Sequence, residues 1–332
     1  MKKTITLAHG NGGAENNELI ENIFYKAFKN EILEKNEDAA IIEDGKLAFC
    51  TDSFTISPLF FQGANIGKLA VCGTCNDLVM MGARPKYLTS SFIIEEGLEV
   101  EVLEKIVTSM KEELDKHNVL LVSGDTKVVP KGAVDKLFIN TSGIGEVIYQ
   151  NISANNLSED DIIIVSRDIG THGATIFCAR EGIELSSNLK SDCDFLFPKI
   201  KVLIEANIKI KALRDATRGG VSAVLNEWAR QSNVCIELDE SSVPVSSEVK
   251  GVCEMLGFEA FNLANEGTFL LVVSKEDAKK SIEILKQFEN SQNAAIIGKV
   301  TLQHLKKVVL NSSWGTKRFL ESPTGELLPR IC

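Results

Sequence analysis

No stretch of this 332-residue chain holds the ~20 consecutive apolar residues that a membrane helix needs. A basic excess is missing too. Lys and Arg number 36 against 46 Asp and Glu, a formal net charge of -10. That balance excludes a nucleic-acid groove and an anionic membrane surface as partners, while leaving room for a local cationic pocket. The chain lacks a Walker A loop, since Gly67-Lys68 is followed by Leu69, and no G-x-G-x-x-G follows a strand. Cys72-Gly73-Thr74-Cys75 has CxxC spacing, but no second pair or nearby histidine completes a zinc site. It opens into an apolar helix, so the two thiols read as packed side chains. Five of the eight cysteines (Cys50, Cys72, Cys178, Cys235, Cys253) sit inside apolar segments and read as small buried hydrophobes of a reducing compartment. The start, Met1 to Leu7, has no secretory pattern, and Cys332 is not four places from the end as prenylation requires. A cytoplasmic protein is expected. The four histidines are scattered: His117 and His304 read as surface residues, His9 and His172 as members of glycine loops. No short-period repeat is present.

With 44% hydrophobic and 25% charged residues, the chain has ordinary globular composition and enough length for two cores. Gly10 to Gly13 precede a helical pattern, Glu18 to Phe28, with Ile20, Ile23, Phe24, Ala27 and Phe28 on one face. Ala39 to Ile42 and Lys46 to Cys50 read as strands of a hairpin turned by Asp44-Gly45, the second delivering Thr51-Asp52-Ser53. A long apolar helix, Ile66 to Met81, is closed by Gly82. A strand over Tyr87 to Ile94 and an amphipathic helix over Val100 to His117 follow. Val119 to Val122 reads as a fully apolar strand releasing Ser123-Gly124-Asp125-Thr126-Lys127, and Lys136 to Val147 as its return. The polar stretch Asn151 to Asp161 marks a boundary. Beyond it come a strand from Ile162 to Val165, a helix from Pro198 to Asn207 and a strand near Ile208. The loop Arg214 to Gly220 opens a helix from Val221 to Gln231. A strand from Thr268 to Val273, a helix from Lys275 to Gln287 and a last strand near Ala294 to Val300 complete the set. This alternation predicts two α+β or α/β domains, 1–150 and 151–311. The remainder, 312–332, carries Gly315, Pro323 and Gly325 and keeps neither periodicity. It reads as a mobile tail ending in Pro329-Arg330-Ile331-Cys332. About 15 extended residues span up to roughly 50 Å. The chain therefore ends either in a thiol on a tether, a nucleophile and acyl carrier, or in a stray cysteine at a frayed end. Arg330 favours the thiolate, and the terminal carboxylate opposes it.

Asp52, Asp77 and Asp125 lie beside small polar residues at or near the ends of apolar elements. Single acids gathered by a fold suit magnesium-bridged phosphate. Asp52 and Asp125 alone read equally as turn caps. Asp77, inside an apolar helix, needs a partner or a metal. Lys127, two places after Asp125, shares its direction if the backbone is extended, and an Asp–Lys pair suits phosphoryl transfer. Thr217-Arg218-Gly219-Gly220 offers an N-cap and bare N–H groups before a helix, a weak anion signal. The Gly10 to Gly13 loop offers another.

TDSFTISPLFFQGANIGKLAVCGTCNDLVMMGARP, SGDTKVVPKG, RDATRGG, LANEG and the terminal PRIC occur here in one order. In that order they resemble the HypE family of hydrogenase maturation factors over nearly the whole length. More widely the chain looks like the ATP-binding superfamily of aminoimidazole ribonucleotide synthetase, selenophosphate synthetase and thiamine-monophosphate kinase. The resemblance implies a two-domain α+β (α/β sandwich) synthetase-like fold, a homodimer paired through its N-terminal sheets, and ATP with Mg2+ near that interface. It implies a carbamoyl group loaded on Cys332 by HypF, dehydrated with ATP from thiocarbamate to thiocyanate, and passed as cyanide to iron on HypC–HypD. Carried over, Asp52, Asp77 and Asp125 would hold magnesium, and Lys127 would contact phosphates. Asn11, Gly12, Asn76 and Asp215 would join the nucleotide site. Cys75 and Ala216 depart from the family's usual apolar residue and proline. Dehydrating an amide needs a base, for which Glu266 and His172 are the candidates. A carrier that ATP merely switches, and a small-molecule phosphotransferase, are the rival readings.

Overall fold

The structure, a computed structural model, describes residues 4–183, 188–312 and 314–324. In the first half, α1 (Ala14–Leu19), a π-helical turn (Ile20–Tyr25) and α2 (Lys26–Phe28) run on as one helix. Strands β1 (Ala40–Ile42) and β2 (Leu47–Phe54) form the expected hairpin, and the short β3 (Phe60–Phe61) and β4 (Ala64–Asn65) follow. Then come α3 (Ile66–Met80), β5 (Ala83–Glu95), α4 (Val100–His117), β6 (Leu120–Val129) and β7 (Leu137–Val147). In the second half lie β8 (Ile162–Val165), α5 (Thr171–Glu181), α6 (Phe197–Glu205), β9 (Ile210–Asp215) and α7 (Gly220–Gln231). They lead to β10 (Cys235–Asp239), α8 (Ser247–Leu256), β11 (Phe269–Val273), α9 (Lys275–Leu285), β12 (Ala295–Thr301), β13 (Lys307–Asn311) and β14 (Lys317–Phe319).

Two large sheets organise these elements. The first has the order β1-β2-β7-β5-β6, the second β14-β13-β10-β12-β8-β11-β9. Successive residues of β8, β9 and β11 face opposite ways, as a strand requires. Ile163, Val165 and Ala212 pack with Trp228 of α7, whereas Ile164, Leu213 and Leu271 pack on the α6 and α9 side.

Between the sheets runs α3. Asn65 caps it by accepting from the Gly67 N–H at 2.8 Å and the Lys68 N–H at 3.1 Å. It is buried nearly all round, as a helix packed on several sides must be. One side meets Phe54, Leu88, Ile106 and Ile139, and its C-terminal end, at Val79 and Met80, meets Leu196 and Phe269 of the second half. A Cβ on Gly73 would stand 2.8 Å from the Phe54 ring, so glycine lets the helix lie against the sheet. Cys72 and Cys75 are buried free thiols, as the sequence implied.

Strand β6 follows the apolar Val119 to Val122 run, as expected, and two other expectations need correction. β6 is the outer edge of its sheet, with Leu120, Leu121 and Val122 61%, 48% and 56% exposed, because it pairs with β5 on one side only. The stretch after 312 is not unstructured throughout. Lys317 to Phe319 pair with β13, Leu320 is buried, and the Asn226 amide donates to the Leu320 carbonyl at 2.8 Å. Farther on, the Pro323 carbonyl accepts from the Ala14 N–H at 3.1 Å. Arg330 and Cys332 lie outside the described residues. Finally, His117 is not a free surface residue; its ring stacks on Phe195 at 3.8 Å and meets Glu113 at 3.3 Å.

Candidate functional site

A cavity of about 260 Å³ lies where the two halves meet. Four of the acids singled out in the sequence line it: Asp52 from β2, Asp77 from α3, Asp215 from the end of β9, and Glu266 from the loop before β11. Helical geometry explains why Asp77 turns in while its neighbour Asn76 turns away. Asp38, which the sequence reading passed over, joins them from the segment before β1. Gly12 contributes backbone from the N-terminal glycine loop. Its φ of +71° favours glycine, and a Cβ there would stand 2.8 Å from Arg218. Asn11 precedes it and does not line the wall.

Gathering these carboxylates out of water is costly, and their proton affinities register it. Burial pushes Asp77 well above the usual carboxylate range, and the charges of Asp215, Asp38 and Asp52 push it further. Burial also raises Asp215 and Glu266 well above that range, with neighbouring acids adding to it. Asp52 is raised by burial, against the opposing pull of Arg218. Burial lifts Asp38 to about 6, although Arg214 pulls it down. Arg214 is the main internal counter-charge. Its Nε meets Asp38 at 2.8 Å, one terminal nitrogen meets Glu227 at 2.5 Å, and the other donates to the Asn36 carbonyl at 3.0 Å. It thereby ties the 36–38 segment to β9. Opposite this acid cluster, a hard divalent cation is the group the donor set fits, since carboxylate oxygens are the ligands magnesium takes. Asp52, Asp77 and Asp215 supply carboxylates of that kind, although as placed within one chain they do not form a metal-binding group.

Not every expected residue arrives here. Asp125 and Lys127 stand on β6, with Lys127 Nζ 2.8 and 2.7 Å from the two Asp125 oxygens, so the shared direction read from their spacing holds. Asp52 pairs in register with Thr141, which pairs with Ser90, which pairs with Gly124. Asp125 is therefore three strands away, roughly 15 Å at the ordinary interstrand spacing, and on the opposite face of the sheet from Asp52. Within one chain the trio Asp52, Asp77 and Asp125 does not assemble. Among the described residues no group of three or more His, Cys, Asp or Glu side chains is arranged to hold a metal.

Asn76 is not at the cavity either. Its amide donates to the Asp194 carbonyl at 2.9 Å and its oxygen accepts from the Leu196 N–H at 2.9 Å, so both ends are used in joining α3 to the second half. His172 is fully buried, with Nδ1 2.8 Å from the Ser191 hydroxyl and its ring edge-on to Phe61. It does not line the cavity, which leaves Glu266 as the candidate base. Thr217 and Arg218 do line the cavity, but the cap of α7 is Gly219 rather than Thr217. Cys332 lies outside the described residues. Asp38 and Arg214 were missed as site residues. The one available signal was Glu37-Asp38, an acidic pair directly before the first apolar strand.

Comparison with known proteins gives consistent matches. The models for the AIR synthase related protein N-terminal domain and C-terminal domain match residues 36–147 and 158–311. Carbamoyl dehydratase HypE of Escherichia coli (strain K12) is 47% identical over 337 residues, covering 99% of each chain. A solved HypE–HypF complex contains a chain 46% identical with a TM-score of 0.88, covering 92% of this chain and 99% of that one. A hydrogenase maturation protein HypE solved in complex with ATP is 40% identical, with a TM-score of 0.84 over 99% of this chain and 100% of that one.

Proposed function

This chain belongs to the AIR synthase related family and, within it, to HypE, and on that premise we propose that it is an ATP-dependent carbamoyl dehydratase of [NiFe] hydrogenase maturation. The substrate is a carbamoyl group held as a thiocarbamate on Cys332. The observation that carries the reading is the convergence of Asp52, Asp77, Asp215 and Glu266 from both halves on one cavity. In the reaction the thiocarbamate oxygen attacks the γ-phosphorus of ATP and the bond to ADP breaks. The amide nitrogen gives up its two protons, and the carbon–oxygen bond breaks with phosphate leaving. An S-cyano group remains, and thiocarbamate plus ATP balances thiocyanate, ADP and phosphate. An amide oxygen is a poor leaving group until phosphorylated, which is why ATP is consumed. Glu266 lines the cavity, with its proton affinity raised by burial, and takes protons from the nitrogen. Carboxylates of the acid cluster would hold magnesium when it is bound, and the ion would then offset phosphate charge.

Two copies complete the site. Phe49, Tyr87, Ile93 and Ile144 are 42%, 45%, 37% and 39% exposed, and β-register places them on one outer face of the first sheet. Asp125 and Lys127 share that face at its edge. Pairing of these faces buries the apolar residues and carries Asp125 and Lys127 of one chain to the cavity of the other. Lys127 then contacts phosphate across the interface. HypF supplies the carbamoyl group, iron on HypC–HypD receives the cyanide, and the setting is the cytoplasm. The test is phosphate release from the carbamoylated protein with Mg-ATP. One phosphate per loaded chain is expected, and none from Cys332→Ala. Equal release by that variant would overturn the reading in favour of a small-molecule phosphotransferase.

A further inference from the structure

Glu266 stands in a short loop held from two sides. On one side is Asn265, fully buried, whose amide donates to the Ala216 carbonyl at 2.8 Å and accepts from the Gly170 N–H at 2.7 Å. On the other is Asp192, 2% exposed. One Asp192 oxygen accepts from the Glu266 N–H at 3.1 Å. The other accepts from the Gly267 N–H at 3.0 Å and the Thr268 hydroxyl at 2.7 Å. Three successive polar hydrogens thus end on one buried carboxylate. The approach is close enough that a Cβ on Gly267 would collide with the Asp192 carbonyl oxygen.

The segment around Asp192 is itself fixed. The Ser191 N–H donates to the Gln62 carbonyl at 2.8 Å, and its hydroxyl meets His172 at 2.8 Å and accepts from the Cys193 N–H at 3.0 Å. Two residues on, Asn76 takes both the Asp194 carbonyl and the Leu196 N–H. Asn76 is next to Asp77 on α3. One segment, 191–196, therefore spans from the helix that presents the cavity-lining Asp77 to the loop that presents the base.

We propose that Asp192 is a positioning residue that aims Glu266 into the cavity through its three hydrogen bonds to residues 266–268. The inference rests on the reading of Glu266 as the base. Only a carboxylate can accept at both oxygens; an amide keeping its oxygen on the Gly267 N–H and the Thr268 hydroxyl would turn its NH2 toward the Glu266 N–H and break the set. A displacement of about 1 Å at a reacting group costs up to ~100-fold in rate.

The test compares Asp192→Asn, Glu266→Gln and the double variant, using ATP-driven loss of water from the carbamoylated full-length protein. Asp192→Asn is expected to lower kcat about 10- to 100-fold with the KM for ATP within about twofold, and to add no further loss in the Glu266→Gln background. An equal fractional loss in both backgrounds, or a loss in KM and kcat together, would mean general structural damage and would overturn the proposal. A wild-type rate for Asp192→Asn beside a slow Glu266→Gln overturns it and leaves the base assignment standing. A wild-type rate for Glu266→Gln overturns both. Thr268→Val serves if Asp192→Asn does not fold. It removes the one hydroxyl hydrogen that Thr268 offers to the same carboxylate at 2.7 Å, for which the Asp168 carbonyl at 3.1 Å is the competing acceptor. It is expected to lower kcat a few-fold at unchanged KM, and an unchanged kcat would equally overturn the proposal.

Discussion

Asp77→Asn should stabilise the metal-free protein while abolishing turnover. Asp77 is buried in α3, and three other acids, Asp215, Asp38 and Asp52, act on it. At a typical separation of ~7 Å and an effective dielectric of ~20, one like-charge pair costs roughly 2 kcal/mol. Relaxation and partial protonation reduce that, so removing one charge should return about 1–2 kcal/mol. For a chain of this size that corresponds to a rise in Tm of roughly 1.5–3 °C. The sign with pH follows from the raised proton affinity. A carboxylate whose folded pKa lies above its unfolded one loses stability as pH climbs from the unfolded value through the folded one. The wild type is therefore penalised at about pH 8 and much less at about pH 5, so the gain of the Asn variant should shrink on acidification. Thermal unfolding in EDTA at the two pH values measures this directly. Added magnesium should then raise the wild-type Tm and leave the variant nearly unchanged. A variant that melts several degrees lower, by the same margin at both pH values, would show that Asp77 is a structural hydrogen-bond acceptor, and the repulsion argument would be wrong.

If Asp125 serves the partner's cavity, mixing inactive Asp125→Ala with inactive Asp77→Asn should restore about a quarter of wild-type activity, since half of the dimers are mixed and each has one intact site; no recovery would place both acids in one chain's site. Asn226→Ala removes the donor to the Leu320 carbonyl, so it should cost about 1–2 kcal/mol and speed proteolysis after β13, read by limited digestion. Gly73→Ala pushes a methyl group into the Phe54 ring and should lower stability by about 1–3 kcal/mol, measured by urea unfolding. Arg214→Met leaves Asp38 and Glu227 without their cation, and should cost about 3 kcal/mol or more by the same measurement.

Local signals were strong where chemistry is local. The Asp44-Gly45 turn, the Gly82 end of α3 and the limits of α4 follow from turn, cap and periodicity rules, and the structure agrees. What could not be read is what packs on what. An apolar run such as Leu120 to Val122 says that a surface wants covering, but not that the cover must come from outside the sheet. The resemblance put Asn76 with Asp77 at the nucleotide site, but neighbours on a helix point about 100° apart. Leu320 looked like part of a loose tail because its partners, Asn226 and Val308, are far away in sequence. Asp38 and Arg214 illustrate the same limit. Each is ordinary in its own segment and becomes part of the site only when β9 meets the segment before β1.

The central claim is that this protein dehydrates a group carried on its own last residue. Its most direct test is the mass of the C-terminal peptide of the carbamoylated protein before and after Mg-ATP. A Cys332 peptide lighter by one water is expected, with ADP and phosphate formed in equal amounts. An unchanged peptide mass while ATP is bound or consumed would contradict it and leave a nucleotide-switched carrier in its place.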